Sequence, residues 1–361
     1  MAHASNVPSK FTLAVVVVLL ALLFPNQAVA AAVDEGEGEQ ACDVAGETAA
    51  PPMHKLRLGL EWFLNPDHLP LIVAQQEGYF TKLGLDVDLI APADHWEAEQ
   101  EILAHRLDVA LTEPLHLAQD AAAGKPVLGF ARFFHTDGGV MYRRSVGDSG
   151  ITRPADMCGK TISYPGSPGP GGPAIVQTMV QADGKMDCPL DSYGKYNGGF
   201  FHTDALESGQ ADVATLIFWN FEIPEATARG LSVGFFSLKD WGVPDFCQLV
   251  LFTTPERFVA NRTAFRKLVL ALRQATGFIH QHPEAAKEIY RQHVGVPEDT
   301  VARNVLEATL NATLPAFPND SMMALDYYHH LMQWLVDTQQ VESEAAAQAK
   351  PESYWTNEVA W

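Results

Sequence analysis

Two short segments set an aromatic side chain beside a carboxylate. Glu61-Trp62 follows the alternating stretch Lys55 to Leu60, and Trp219-Asn220-Phe221-Glu222 follows the apolar stretch Asp212 to Phe218. An indole face stacks on a flat heteroaromatic ring. A carboxylate accepts hydrogen bonds from a ring amine or ring NH. Together these groups suit the binding of a small amine-bearing ring. Each also has an ordinary alternative. Trp62 fits a core position, Glu61 a charge at a strand end, and Asn220 a helix cap. Glu222 is the stronger candidate in its segment. His68, His116 and Tyr142 are secondary candidates, because a lone histidine is more often structural than a ligand contact. The loop Pro165 to Gly172, with Gly169 as its candidate ligand contact, precedes an expected helix. Its glycines offer amides to an anion, but its prolines remove donors. The loop therefore suits a neutral or weakly charged ligand.

Catalytic and metal signatures are missing from the sequence. There is no Ser/His/Asp spacing, no HExxH, no dinucleotide fingerprint and no CxxC. No catalytic pair, metal site or cofactor is expected. His329-His330 are neighbours on an expected helix, so they point about 100° apart and do not share one ion. With 44 acidic against 24 basic residues the formal charge is -20. That excludes nucleic acid and anionic membrane surfaces as partners, since phosphate binding needs clustered Lys and Arg. The 47% apolar content supplies a core, and 361 residues suggest two domains.

The first thirty residues read as a leader. Lys10 precedes an apolar run, Phe11 to Phe24, which ends at Pro25 and Ala28-Val29-Ala30. That order describes a signal peptide over 1–30. The run falls short of the roughly 20 residues that span a bilayer, so no stable membrane insertion is expected after cleavage. Residues 31–54 read as a flexible leader. Export places the chain in the periplasm, where its four cysteines, Cys42, Cys158, Cys188 and Cys247, meet oxidising conditions. Cys158 and Cys188 flank one segment and are the preferred disulfide. A Cys42–Cys247 pair stays open.

Strands alternate with helices through the middle of the chain. Short strands are expected at Lys55–Leu60, Leu85–Ile90, Leu107–Leu111, Val127–Phe134, Gly139–Arg143, Lys160–Tyr164 and Asp212–Phe218, with helices between. Such alternation predicts an α/β fold with mostly parallel sheets flanked by helices. One pattern occurs twice, as Glu101-Ile102-Leu103 leading to Asp108-Val109-Ala110 and Ala205-Leu206-Glu207 leading to Asp212-Val213-Ala214. Two similar lobes explain it. The expected boundaries are 55–144 with 245–361 for lobe one, and 145–244 for lobe two. Ligands in such sheets bind beyond the carboxyl ends of the strands. The last third is expected to be helical, with Phe265, Leu268, Leu272, Ala275 and Ile279 as one apolar stripe.

The segment Gly59 to Pro70, with Ala74-Gln75-Gln76-Glu77-Gly78-Tyr79-Phe80 and Gly84-Leu85-Asp86-Val87, resembles the opening of the thiamine-pyrimidine synthase-like family. That family joins enzymes making hydroxymethylpyrimidine phosphate with periplasmic proteins that bind thiamine-pyrimidine precursors. Sulfonate- and nitrate-binding proteins are its more distant relatives. Pro66-Asp67-His68-Leu69-Pro70 favours the pyrimidine branch, and the likeness runs on through Asp108–His116, Gly242–Phe252 and Tyr354–Trp361. The resemblance implies a type II periplasmic binding protein fold. In the synthase branch a lysine forms an imine with pyridoxal phosphate where this chain has Thr112, which has no amine. The synthase's Cys-rich iron motif corresponds to Gly242–Cys247, where only the last cysteine remains. The histidine that donates pyrimidine atoms corresponds to His116, which is kept. The resemblance thus implies a binding protein, not an enzyme. It would carry a formylaminopyrimidine or hydroxymethylpyrimidine to an inner-membrane ABC permease. A sulfonate, nitrate or flavin-like ligand, and a synthase-type enzyme, are the alternatives.

Overall fold

A computed structural model describes residues 53–93, 96–144, 150–164 and 171–360. The expected signal peptide, leader residues 31–52, Cys42 and Gly169 lie outside the described residues; the expected leader ends too late, because His54 already pairs with Leu85 as the first residue of a strand. Two five-stranded sheets organise the chain. The first is built from β1 (His54–Gly59), β2 (Leu85–Ile90), β3 (Val109–Thr112), β4 (Leu128–His135) and β10 (Gln248–Thr253), in the order β2-β1-β3-β10-β4. The second holds β5 (Gly138–Arg143), β6 (Thr161–Tyr164), β7 (Gly194–Asn197), β8 (Val213–Phe218) and β9 (Val233–Ser237), in the order β7-β6-β8-β5-β9. In each sheet one strand is reversed: β10 is antiparallel to both neighbours in the first, and β5 in the second. The other pairs are parallel. The sheets are therefore mixed, with most strands running one way, and helices cover them in two α/β lobes.

The reversed strands decide where the lobes divide. Gly139–Arg143 was expected in lobe one, but β5 pairs with β8 and β9 in the second sheet. The chain therefore crosses between lobes at Thr136-Asp137 rather than after Arg144. A hydrophobic strand reveals its burial but not its partners, which is why the sequence misplaced it. The return crossing runs from Leu238 to Cys247. The crossings pack tightly against each other: a Cβ added to Gly138 would lie 2.1 Å from the Cys247 sulfur. Glycine is needed there for the close approach.

The repeated sequence pattern corresponds to one repeated device. In the first lobe, helix Ala98–Leu103 ends in a turn with His105 at φ 59°, where a left-handed residue closes the helix. Asp108 then accepts from the Arg57 amide at 2.9 Å, and its own amide donates to the Arg57 carbonyl. In the second lobe, helix His202–Glu207 ends with Gly209 at φ 73°. Asp212 accepts from the Thr161 amide at 2.9 Å and donates to the Thr161 carbonyl. Each aspartate thus starts a central strand, β3 or β8, in register beside its neighbour. Asp108 is also gripped by the Arg57 and Arg257 guanidiniums at 2.9 Å.

The C-terminal part is helical, as the periodicity implied. Helix Pro255–Gln281 starts at the Thr254 cap and buries Phe265, Leu268, Leu272, Ala275 and Ile279. Phe130 of β4 stacks on Phe265 at 5.1 Å. Helix Leu325–Asp337 bridges the lobes, with Trp334 Nε1 donating to Thr178 Oγ1 at 3.1 Å. Cys158 and Cys188 form a disulfide, whereas Cys247 is buried and has no disulfide partner among the described residues. Among the described residues no helix is long and apolar enough to cross a membrane.

Candidate functional site

The strands of both lobes deliver their carboxyl ends to one cleft. β1 runs out into Glu61-Trp62, β3 into Thr112 and Glu113, and β8 into Phe218, and all of these residues line a cavity of about 260 Å³. Small-ligand sites typically span about 300–1,000 Å³, so this cleft suits one small ring compound. Trp62 stands on one wall. Its ring centroid lies 4.9 Å from Phe63, 5.4 Å from Phe221 and 5.9 Å from Phe200. Its buried Nε1 has no partner among the described residues. Trp96 faces the same space and is tied down by a 3.1 Å bond from its Nε1 to the Leu60 carbonyl.

Glu222 opens helix Glu222–Ala228 and is 1% exposed. Its Oε2 accepts from the Phe218 amide at 3.0 Å, while Oε1 has no partner. Burial holds this carboxyl well above the usual carboxylate range. A buried polar atom without a partner is costly, so Oε1 waits for a donor that none of the described residues supplies. Glu61 is held from behind by His68, whose Nε2 lies 3.1 Å from both Glu61 oxygens. Burial lowers the basicity of His68, but the Glu61 carboxylate outweighs it and raises the ring above its ordinary value. The His68 Nδ1 accepts from the Asn65 amide at 3.2 Å, which leaves Nε2 to carry the proton toward Glu61.

His116 rises from the first turn of helix Pro114–Ala122, its Nδ1 2.6 Å from Glu113 Oε2. Burial opposes its protonation, yet the Glu113 carboxylate raises it overall. The cleft also holds Lys125, bound by Glu97 at 2.7 Å, Asp120 at 2.9 Å and by Glu99. Those three carboxylates lie close enough to share a metal ion, but the Lys125 ammonium sits among them. His202 lines the second-lobe side, and burial pulls it down to about 4, leaving it neutral.

Of the residues singled out from sequence, Glu61, Trp62, His116 and Glu222 line the cleft together. His68 stands behind the wall as the positioner of Glu61. Asn220 is fully buried and does not line the cleft. Its Nδ2 donates to Asp67 Oδ1 at 2.6 Å and Thr313 Oγ1 at 2.7 Å, joining the two lobes and a C-terminal helix. Trp219 is 43% exposed, and its amide bonds Asp137 at the interlobe crossing. Tyr142 also departs from expectation: it stacks on Phe236 at 4.6 Å inside the second lobe, because β5 lies in that sheet. Sequence reasoning missed Trp96, Lys125, Phe200 and His202. Phe200 and His202 follow β7, and only that strand's place at the sheet edge brings them to the cleft.

The profile described as NMT1/THI5 like matches residues 65–286. The chain belongs to the NMT1/THI5-like family. Among NMT1/THI5-like relatives, the formylaminopyrimidine-binding protein of Halalkalibacterium halodurans is 29% identical over 54% of this chain and 57% of its own length. The chain thus spans a little over half of that protein. A 4-amino-5-hydroxymethyl-2-methylpyrimidine phosphate synthase of Saccharomyces cerevisiae is 32% identical over 65% of this chain and 70% of its own. In structure, the alkanesulfonate-binding protein of Xanthomonas axonopodis superimposes with a TM-score of 0.62 at 14% identity, over 83% of this chain and 99% of that one. That likeness shows the two-lobe periplasmic binding protein fold.

Synthase-named members of the NMT1/THI5-like family raise the question of pyridoxal phosphate. The residues present do not fit it. Thr112 lines the cleft and has no amine, and Lys125, the one lysine on the wall among the described residues, is surrounded by carboxylates. Cys247 is fully buried, and burial pushes its thiol well up, so it is not a ligand at the cleft.

Proposed function

We propose that this chain is the exported solute-binding component of an ABC importer, and that its cleft takes a thiamine-related aminopyrimidine. Formylaminopyrimidine and hydroxymethylpyrimidine are the two ligands of choice. The observation that carries this reading is that the Trp62 indole and the Glu222 carboxyl line one cleft, and that Glu222 Oε1 lacks a partner among the described residues. A flat ring stacks on the first, and its exocyclic amine or ring nitrogen completes the second. The formylaminopyrimidine-binding relative supports the ligand class, and the fold supports delivery to a permease. The lobes would close on the ligand about the crossings at Thr136-Asp137 and Leu238–Cys247. The leader over 1–30 would direct the chain to the periplasm.

Calorimetric titration of the protein purified free of ligand tests this reading, with taurine and nitrate as controls. Either pyrimidine should bind at micromolar concentration or below. Trp62→Ala should abolish the heat, and Glu222→Gln should weaken binding by about 10-fold, the worth of one hydrogen bond to a charged group. Binding of taurine or nitrate, with no heat from either pyrimidine, would reject the ligand assignment. A second reading, synthase-type chemistry, draws on the synthase-named relatives and on His116 in the cleft. The protein incubated with pyridoxal phosphate should show no imine absorbance band, and a band lost in Lys125→Ala would favour that second reading.

A further inference from the structure

The charges lining the cleft are one-sided. Six carboxyl groups line it, on Glu61, Glu97, Glu99, Glu113, Asp120 and Glu222, against one lysine among the described residues, Lys125, and His116, which is paired with Glu113; burial keeps Glu222 protonated until a ligand arrives. No arginine lines it among the described residues. The internal segments outside the description, 94–95, 145–149 and 165–170, contain no Lys or Arg at all. Lys125 is balanced by Glu97, Glu99 and Asp120, and so has little attraction left for an anion. Glu222 points independently to a ligand, since it lines the cleft, is 1% exposed, and its Oε1 has no partner among the described residues. Trp62, Trp96 and Phe200 add aromatic faces, which attract a cation and not an anion.

We propose that the cleft selects its ligand by positive charge: it takes a flat amine-bearing ring that is cationic, or that gains a proton at a ring nitrogen on binding, and it excludes the phosphorylated form of the same ring. This rests on the reading of the cleft as the ligand site. A ring that arrives neutral receives its proton from the Glu222 carboxyl, which stays behind as the carboxylate counter-ion, so no proton is exchanged with solvent. A ring that arrives as a cation displaces that proton to solvent. An anion meets the wall carboxylates at short range in a medium where repulsion is strong. The same fold can carry a sulfonate site, as in the Xanthomonas protein, so the selection lies in these side chains and not in the scaffold.

The test uses wild-type protein and two ligand pairs matched in ring. One pair is hydroxymethylpyrimidine and its phosphate ester. The other is 4-aminopyridine, a cation at pH 7, and pyridine-4-carboxylate, an anion. Binding is read by calorimetry and by quenching of tryptophan fluorescence. The phosphate ester should bind about 100-fold more weakly than the free alcohol, and the cation should lose affinity as salt rises toward about 1 M, where charges are screened within about 3 Å. An anionic member that binds as tightly as its partner, or failure of 4-aminopyridine to bind, overturns the proposal. If 4-aminopyridine binds and both pyrimidines fail, the charge selection stands and the aminopyrimidine assignment falls.

Discussion

Asp67 shows how a single buried group can link the ligand wall to the frame. It is fully enclosed between Asn220, Thr313 and the His68 turn, and it accepts from Asn220 at 2.6 Å. Burial raises its pKa from 3.8 to about 7, against the pull of His68 and the Asn220 hydrogen bond. A carboxyl raised in the folded state binds a proton more readily there than in the unfolded chain. Its contribution to stability is therefore present at low pH and is lost as pH rises from about 4 to about 7. The full shift is worth up to about 4 kcal/mol. Asp67→Asn keeps an acceptor oxygen and removes the titration. The unfolding free energy of wild type minus that of Asp67→Asn should fall between pH 5 and pH 8, measured by urea denaturation. A difference that stays flat would show that Asp67 does not titrate there.

The same logic of paired polar groups operates at the level of the elements, with less burial and a different outcome. Asp108 and Asp212 start equivalent strands, but their surroundings differ. Asp108 accepts from the Arg57 amide and from two guanidiniums, whereas among the described residues Asp212 accepts from the Thr161 amide alone. Asp108→Asn should therefore cost about 2–3 kcal/mol, and Asp212→Asn about 1 kcal/mol, since hydrogen bonds to charged groups are worth more than neutral ones. Urea midpoints at constant slope measure both, and equal costs would mean that the arginines add nothing. The Cys158–Cys188 bridge acts on a neighbouring segment by a different route. It closes a separation of 30 residues, which lowers the entropy of the unfolded second lobe.

At the scale of the whole molecule, the lobes meet through a few polar contacts as well as through the two crossings. The Asn220 side chain joins Asp67 of the first lobe to Thr313 of a C-terminal helix. Asn220→Ala would leave Asp67 buried without that donor, at a cost of about 1–3 kcal/mol. It should also loosen the interlobe contact. Small-angle scattering of the ligand-free variant should then give a larger radius of gyration than wild type, and an unchanged radius would show that the crossings alone set the lobe angle. Much of this architecture was legible in the residues. Periodicity located the strand Leu85–Ile90 and the stripe on Pro255–Gln281, because local spacing dictates which face is buried. The recurring Asp-strand pattern announced two lobes, and Trp62, Glu61 and Glu222 announced a cleft, because strand ends in such sheets converge. Other features depended on contacts between residues far apart in the chain. Tyr142 fell inside the second lobe because strand pairing assigns β5 there, and Asn220 became an interlobe tie instead of a ligand contact because Asp67, 153 residues away, lies opposite it. Sequence by itself determined which residues are apolar, charged or aromatic and with what period. Only the tertiary structure decided which of them face each other, since sheet order and the meeting of two lobes are set by packing across the whole chain and leave no local trace.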